Sequence, residues 1–140
     1  MIKEFTMRFL LIFTLVTLST FTHANADLSI FNPQTVQTLK GQVISVQKFS
    51  YVNKPVPYIQ FIMGVQENEY TVEVGPEWYL NMGGILIVPR EEIEVTGSLK
   101  NMLGNKKIIR AIQIKKGGVQ LKLRTTDGTP CWGEQHDSKK

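Results

Sequence analysis

The stretch from residue 70 to residue 116 constrains the fold of this chain more than any other. Two segments that alternate apolar and polar side chains, 69–75 and 92–99, flank a Gly75-Pro76 break and the aromatic pair Trp78-Tyr79. A third segment, 106–116, mixes isoleucine with lysine and arginine. Alternation with a period of two indicates β-strands with one buried face. The stretch therefore predicts half of a small β-barrel with one basic edge.

Strand signals continue on both sides of this stretch. Residues 38–49, 58–65 and 119–124 are rich in β-branched and aliphatic residues, and we predict strands there. Gly41 and a slip in the apolar phase indicate a bulge or strong bend in the first strand. Two prolines place residues 50–57 in a loop. Residues 77–82 predict a helix of one or two turns, with Pro76 at its start.

Five main strands with a short helix between the third and fourth predict an all-β fold, an OB-fold-like Greek-key barrel of five to six strands. No helical pattern longer than two turns follows residue 26, so the crossover helices of a parallel sheet are lacking. A β-sandwich is the alternative. The remaining 114 of 140 residues suit a single domain over residues 27–140. Its tail, from about residue 134, is polar and predicted to be disordered.

The N-terminus predicts a secretory signal peptide over residues 1–26. Lys3 and Arg8 precede an uncharged, mostly apolar run at 9–21, and Ala24 and Ala26 supply small residues before a cleavage site. A membrane anchor needs about 20 apolar residues, more than this run provides. We therefore predict a periplasmic or secreted protein without a stable membrane anchor after cleavage.

The residues needed for catalysis or metal binding are scarce. His23 leaves with the signal peptide, His136 lies in the tail, and Cys131 is the only cysteine. A nucleophile–base pair or a zinc site requires several such residues held together. We predict no enzyme activity, no catalytic residue, no metal site and no cofactor. Cys131 cannot form an intrachain disulfide, and we interpret it as a small buried apolar residue rather than one paired with another chain.

The order of short motifs along the chain resembles that of small exported bacterial OB-fold-like proteins. The motifs are FNPQTV, LKGQVISV, GPEWY, VTGS, IIRA, IKKG, LKLR and GTPCW, which together span roughly residues 31–132. The resemblance implies the barrel fold and export. Some such proteins are described as DNA-binding on the ground of their fold, which implies single-stranded nucleic acid as an alternative ligand. Cys131 stands where the pattern suggests a plain apolar residue.

A basic segment near the C-terminus is the candidate binding surface. It holds eight basic residues and no acid: Lys100, Lys106, Lys107, Arg110, Lys115, Lys116, Lys122 and Arg124. We predict a non-catalytic exported binding module that engages an envelope protein or an anionic polymer through a basic strand edge. The alternative is a structural or stress-related envelope protein whose charges only keep it soluble. Export and the lack of exposed aromatics in this segment disfavour nucleic acid.

The aromatic residues allow two interpretations. Trp78 and Tyr79 either plug one end of the barrel, which we favour, or stack on a ligand. Trp132 is predicted to cover the other rim. Strict alternation would place Arg110 on the same face as its isoleucine neighbours, and a buried unpaired arginine is very costly. We therefore expect a bulge near Ile109, or a position for Arg110 at the barrel edge.

Overall fold

The computed structural model of the chain describes residues 31–133. Its elements are β1 (Val36–Tyr51), β2 (Lys54–Val65), β3 (Asn68–Pro76), α1 (Glu77–Met82), β4 (Glu92–Asn101), β5 (Lys107–Lys116) and β6 (Val119–Lys122). Short 3₁₀ turns lie at Pro33–Thr35 and Leu103–Asn105. The predicted signal peptide and the predicted tail lie outside the described residues. Within residues 31–133, no helix has the length and apolar character needed to cross a membrane.

The strands close into a barrel in the order β3-β2-β1-β4-β5. Neighbours along this order are antiparallel, and a parallel pairing of β3 with β5, from Tyr70 opposite Lys107 to Glu73 opposite Arg110, completes the circle. β6 pairs with β5 as an additional strand. The predicted OB-fold-like barrel is confirmed, with its single helix between β3 and β4 at the predicted bounds. Closure of the sheet rules out the β-sandwich alternative.

β1 bends through a bulge, as its glycine and its phase slip predict. Its register with β2 shifts between Val43 and Ser45. At Gly41 the strands approach so closely that an added Cβ would lie 2.3 Å from the carbonyl oxygen of Gly64. Gly97 meets the same constraint on β4, where a Cβ would lie 2.5 Å from the carbonyl oxygen of Arg110. Only glycine allows these backbones to come together, so both positions fix the curvature of the barrel.

The predicted loop at residues 50–57 is wrong. β1 continues to Tyr51 and β2 begins at Lys54, so the two strands form a long hairpin with a two-residue turn. Pro55 and Pro57 lie within β2, but the pairing of β2 with β3 begins only at Tyr58. The missing proline N–H groups therefore interrupt no bond to β3. Prolines are tolerated at such a strand edge, and this is why the sequence rule failed here.

The side chains on one face of each barrel strand form the core. Val72 and Val74 of β3 are fully buried, as their alternation predicts. On β5 the inward residues are Ile109, Ala111 and Ile114, because Ile112 is an extra residue between the pairs that Ala111 and Gln113 form with β4. The expected bulge thus exists, but it lies at Ile112 rather than near Ile109. Before the bulge, Ile109 and Ala111 point into the core, so Arg110 between them points away from it.

Candidate binding surface

The basic residues of β5 fall into two groups at opposite ends of the strand. Lys107 begins the strand and Lys106 directly precedes it, whereas Lys115 and Lys116 stand at its end. Seven residues of extended strand lie between Lys107 and Lys115 and separate the two groups by about 27 Å. The side chains of Lys106 and Lys115 are exposed, whereas those of Lys107 and Lys116 are half-buried. The predicted basic edge is therefore not one compact patch.

Arg110, between these groups, is held by a carboxylate of the neighbouring strand. Its Nε donates a hydrogen bond to Oε2 of Glu73 at 3.0 Å, and both side chains are about one quarter exposed. The parallel register places the two residues directly opposite each other. Arg110 therefore lies on the barrel wall as an ion pair, which agrees with the expectation that it could not be buried unpaired.

The lysines at the end of β5 also have acidic neighbours. The ammonium group of Lys116 contacts the carboxylate of Glu91 and donates to the carbonyl of Leu86. Lys115 lies opposite Glu94 of β4, and Glu94 lies in turn opposite Lys40 of β1. Acidic side chains of other strands thus interleave with the basic ones. The segment lacks acids only along the chain, and the folded surface around it is mixed in charge.

Lys106 and Lys107 adjoin the loop that joins β4 to β5. The ammonium of Lys107 donates to Oδ1 of Asn68 at 2.7 Å and lies 5.4 Å from the ring centroid of Tyr70. Residues 101–106 are all exposed, and the carbonyl of Lys106 accepts a bond of 2.7 Å from the N–H of Met102. This end of β5 combines two lysines with an exposed loop.

Trp78 and Tyr79 are both half-buried at the end of the barrel that α1 covers. The core position of the helix belongs to Leu80, which is 3% exposed, while Tyr79 packs against the core from its margin. The hydroxyl of Tyr79 donates to the carbonyl of Lys122 at 2.9 Å and so ties α1 to β6. Burial raises the pKa of Tyr79, with a smaller contribution from the nearby Cys131 thiol.

Trp132 lies beside Tyr79 and not at the other rim, so that prediction is wrong. Its ring centroid is 5.8 Å from that of Tyr79 and 6.4 Å from that of Tyr58. It packs onto Gly75, where an added Cβ would lie 2.7 Å from the indole. The aromatic contacts continue through Tyr58 to Tyr51, whose ring is 5.0 Å away and half exposed. A continuous aromatic strip thus runs from α1 to the β1–β2 hairpin.

Arg124 departs most from its predicted place. It is 7% exposed and not part of a basic edge. Its Nη1 donates to the carbonyls of Val74 and Ala111, at 2.9 and 2.5 Å, and its guanidinium lies 4.9 Å from the ring centroid of Trp132. Burial, followed by the charge of Arg110, lowers its pKa from 12.5 to about 10. The group stays charged at neutral pH and anchors the C-terminal segment to the barrel.

The C-terminal segment carries two further polar features. Cys131 is exposed, so its interpretation as a buried apolar residue is wrong. The backbone N–H of Cys131 donates a hydrogen bond to the carbonyl of Leu123. Asp127 accepts bonds from the hydroxyl of Thr125 and the N–H of Thr129, which lower its pKa from 3.8 to about 2. Together these contacts form a tight turn.

Among residues 31–133, no three His, Cys, Asp or Glu side chains group in a way that could hold a metal ion. Two clefts on the described surface are open to solvent. One of about 460 Å³ lies between Leu86 and Val119 and includes the Lys116–Glu91 pair, and one of about 320 Å³ lies between Lys40 and Lys115. Both are lined by the mixed charges described above. These shapes suit contact with a surface or a chain better than enclosure of a small molecule.

Comparison with known proteins gives one assignment. No curated protein and no solved structure matches the chain. Residues 35–121 match the MamS/MamX magnetosome protein family. The matched part makes up more than half of the chain and runs from the start of β1 to the middle of β6. The chain therefore belongs to the MamS/MamX magnetosome protein family.

Proposed function

We propose that the protein is a non-catalytic binding module that acts outside the cytoplasm and contacts an anionic partner through the lysines of β5. The partner is an acidic protein face or an anionic polymer. Export rests on the predicted signal peptide and on the resemblance to exported OB-fold-like proteins. The name of the family associates it with magnetosomes, and on that name alone we place the binding there.

The observation that carries this proposal is the placement of Lys106 and Lys107 beside an exposed loop. Lys106 is exposed, and Lys107 is held by an amide and an aromatic ring rather than by a carboxylate. At the other end of β5, the charge of Lys116 is already matched by Glu91. An anion gains more from a cation that has no carboxylate partner. We therefore assign the main contact to Lys106 and Lys107.

The proposal that the module is not catalytic is supported by its side-chain inventory. Both histidines, His23 and His136, lie outside the described residues. Arg110 and Lys116, two of the half-buried cations of β5, are engaged by Glu73 and Glu91. Such pairs give a barrel wall with matched charges, and none of them positions a nucleophile beside a base.

A salt series tests the assignment. We would measure binding of inorganic polyphosphate to the wild type, to Lys106→Gln/Lys107→Gln and to the matched control Lys115→Gln/Lys116→Gln. The Debye length falls from about 10 Å at 0.1 M salt to about 3 Å at 1 M, so wild-type binding should weaken steeply with salt. The 106/107 variant should bind less and show a flatter salt dependence than the control. Its free energy of unfolding should fall by only about 1 kcal/mol, because Lys106 is exposed and half-buried Lys107 loses one hydrogen bond and one ring contact.

Equal binding by all three proteins at low salt would contradict the proposal. The charges would then serve solubility, as in the alternative of an envelope protein without a specific ligand. A single-stranded oligonucleotide belongs in the same series, because half-exposed Tyr51 offers a ring for base stacking. Binding of the oligonucleotide that Tyr51→Ala abolishes, and that the lysine variants leave intact, would favour the nucleic-acid alternative instead.

Export has its own test. The expected product in a host with an export pathway is a chain that begins at Asp27, after cleavage behind Ala26. Intact mass of the protein in the periplasmic or medium fraction measures this directly. A full-length chain retained in the inner membrane would contradict the proposed localisation, whatever the outcome of the binding series.

A further inference from the structure

We propose that the loop between β4 and β5 inserts into a lipid bilayer that carries anionic headgroups. Met102 and Leu103 enter the apolar boundary of the bilayer, and Lys100, Lys106 and Lys107 contact the headgroups. This rests on the proposed function, because it uses the same lysines for an anionic partner, and it extends the class of that partner from an acidic protein face or a polymer to a lipid surface. We call residues 101–106 the tip loop.

The tip loop exposes apolar surface that the barrel does not use. Leu103 is 99% exposed and Met102 is 41% exposed. A leucine with this exposure buries nothing against the rest of the chain, so it adds nothing to the stability of the fold. Its transfer out of water is nevertheless favourable, in proportion to the apolar area removed. The side chain is thus available for insertion without any rearrangement of the core.

The backbone of the tip loop is closed and tightly turned. The N–H of Met102 bonds the carbonyl of Lys106, and the 3₁₀ turn Leu103–Asn105 lies within this closure. Gly104 and Asn105 both have positive φ, at 74° and 60°. Glycine and asparagine accept this conformation more readily than other residues do. A loop held in this way presents its apolar side chains without a large loss of conformational entropy on contact.

The charges around the tip loop favour an anionic surface, but only slightly. Lys106 lies in the loop and Lys100 and Lys107 flank it, while Glu67 and Glu69 are exposed on the adjacent β2–β3 hairpin. Three lysines and two glutamates leave a net charge of +1 at this end of the barrel. Basic residues near a bilayer are attracted to anionic lipids within a Debye length. The apolar tip must therefore supply most of the affinity, and the lysines select the lipid.

The opposite end of the barrel offers a matched control. Val52, at the turn of the β1–β2 hairpin, is also fully exposed. The start of β1 pairs with the end of β4, so the turn that follows the end of β1 points away from the tip loop. The 12 residues of β2 separate this turn from the β2–β3 hairpin that adjoins the tip loop, so a bilayer at the tip loop lies away from Val52. A substitution at Val52 thus removes a comparable exposed aliphatic side chain without touching the proposed contact.

The experiment is co-sedimentation of the full chain with vesicles. The vesicles contain equal parts of phosphatidylglycerol and phosphatidylcholine, or phosphatidylcholine alone. The partition coefficient onto the anionic vesicles should fall about tenfold or more in Met102→Ser/Leu103→Ser. It should be unchanged in Val52→Ser and should rise in Glu67→Gln/Glu69→Gln. All variants share the same N-terminal residues, so a contribution from that apolar segment cancels in the comparison.

A tryptophan placed at position 103 tests directly whether the tip loop enters the bilayer. In Leu103→Trp, the fluorescence should be quenched by brominated lipid beyond the level of the parent protein, whereas Val52→Trp should match the parent. Unquenched Leu103→Trp, or wild-type partitioning of Met102→Ser/Leu103→Ser, would overturn insertion. If polyphosphate still binds through Lys106 and Lys107 in that case, the proposed function stands alone. Failure to bind either vesicles or polyphosphate would overturn both proposals.

Discussion

Replacement of Arg124 by methionine tests whether a buried cation holds the C-terminal segment on the barrel. Methionine fills a similar length but removes both hydrogen bonds to the carbonyls of Val74 and Ala111 and the contact with the Trp132 ring. Bonds to a charged donor contribute about 1.5–3 kcal/mol each, and the cation–π contact about 0.5–2 kcal/mol. The losses therefore sum to several kcal/mol.

The substitution also removes the cost of burying the charged guanidinium. This gain in stability partly offsets the losses. The pKa of Arg124 falls from 12.5 to about 10 on folding. Each pKa unit corresponds to about 1.4 kcal/mol, so the folded environment destabilises the charged form by about 3 kcal/mol. The net expected effect of Arg124→Met is a loss of about 1–4 kcal/mol. A typical domain has only about 5–15 kcal/mol in total, so the change is easily measured.

Urea unfolding followed by tryptophan fluorescence gives the free energy of unfolding for each variant. Arg110→Met is the matched control: it removes a partly exposed ion pair with Glu73 and should cost about 1 kcal/mol or less. Because the pKa of Arg124 is depressed only to about 10, the guanidinium is charged in both states at neutral pH. Its effect should therefore be constant from about pH 6 to about pH 9, and its cost should ease only as the pH rises through 10.

A variant as stable as the wild type, or more stable, would refute this reasoning. It would mean that desolvation outweighs the two hydrogen bonds and the ring contact, as happens when some buried ion pairs are replaced by apolar residues. A loss confined to the C-terminal segment, with an unchanged midpoint for the barrel, would instead show that Arg124 anchors only that segment.

Three further outcomes follow from the same contacts. Gly75→Ala should cost about 1–3 kcal/mol, since its Cβ would meet the Trp132 indole at 2.7 Å, while Gly118→Ala, with open space around it, should be neutral in the same urea series. Tyr79→Phe should lose about 0.5–1.5 kcal/mol with its bond to β6, and Tyr79→Ala more, both without weaker polyphosphate binding. NMR should find the pKa of Asp127 near 2, so that its stabilising contribution is complete above pH 4 and is lost as the pH falls towards 2.

Local sequence rules predicted the structure correctly where it depends on residues that are close together in the chain. The helix bounds followed from a proline, a short polar–aromatic segment and two glycines, and the structure begins and ends α1 at the predicted residues. Alternation in β3 gave the buried valines for the same reason, because side-chain direction along a strand is a local property. The rule against proline failed at Pro55 and Pro57, because whether an N–H is needed depends on a third strand.

The candidate surface was predicted in composition but not in arrangement. The sequence predicted that Lys106, Lys107, Arg110, Lys115 and Lys116 share one strand, and all but Lys106 lie in β5. It could not show that Glu73, 37 residues away in the chain, reaches Arg110, or that Glu91 reaches Lys116. The one available signal was that residues 67–94 carry seven acids and the next segment carries eight bases, nearly the same number, which suggests pairing between strands.

The sequence by itself determined most of the β-strands and the short helix, while the single domain and the lack of a catalytic site stay predictions from the same sequence. These depend on residue identity and on spacing within a few positions. Barrel closure decided the rest, because pairing β3 with β5 sets which distant side chains become neighbours. It placed Glu73 against Arg110, buried Arg124 under Trp132, and left Leu103 in water at the end of a hairpin. Register and closure are properties of the whole sheet, and no segment carries them alone.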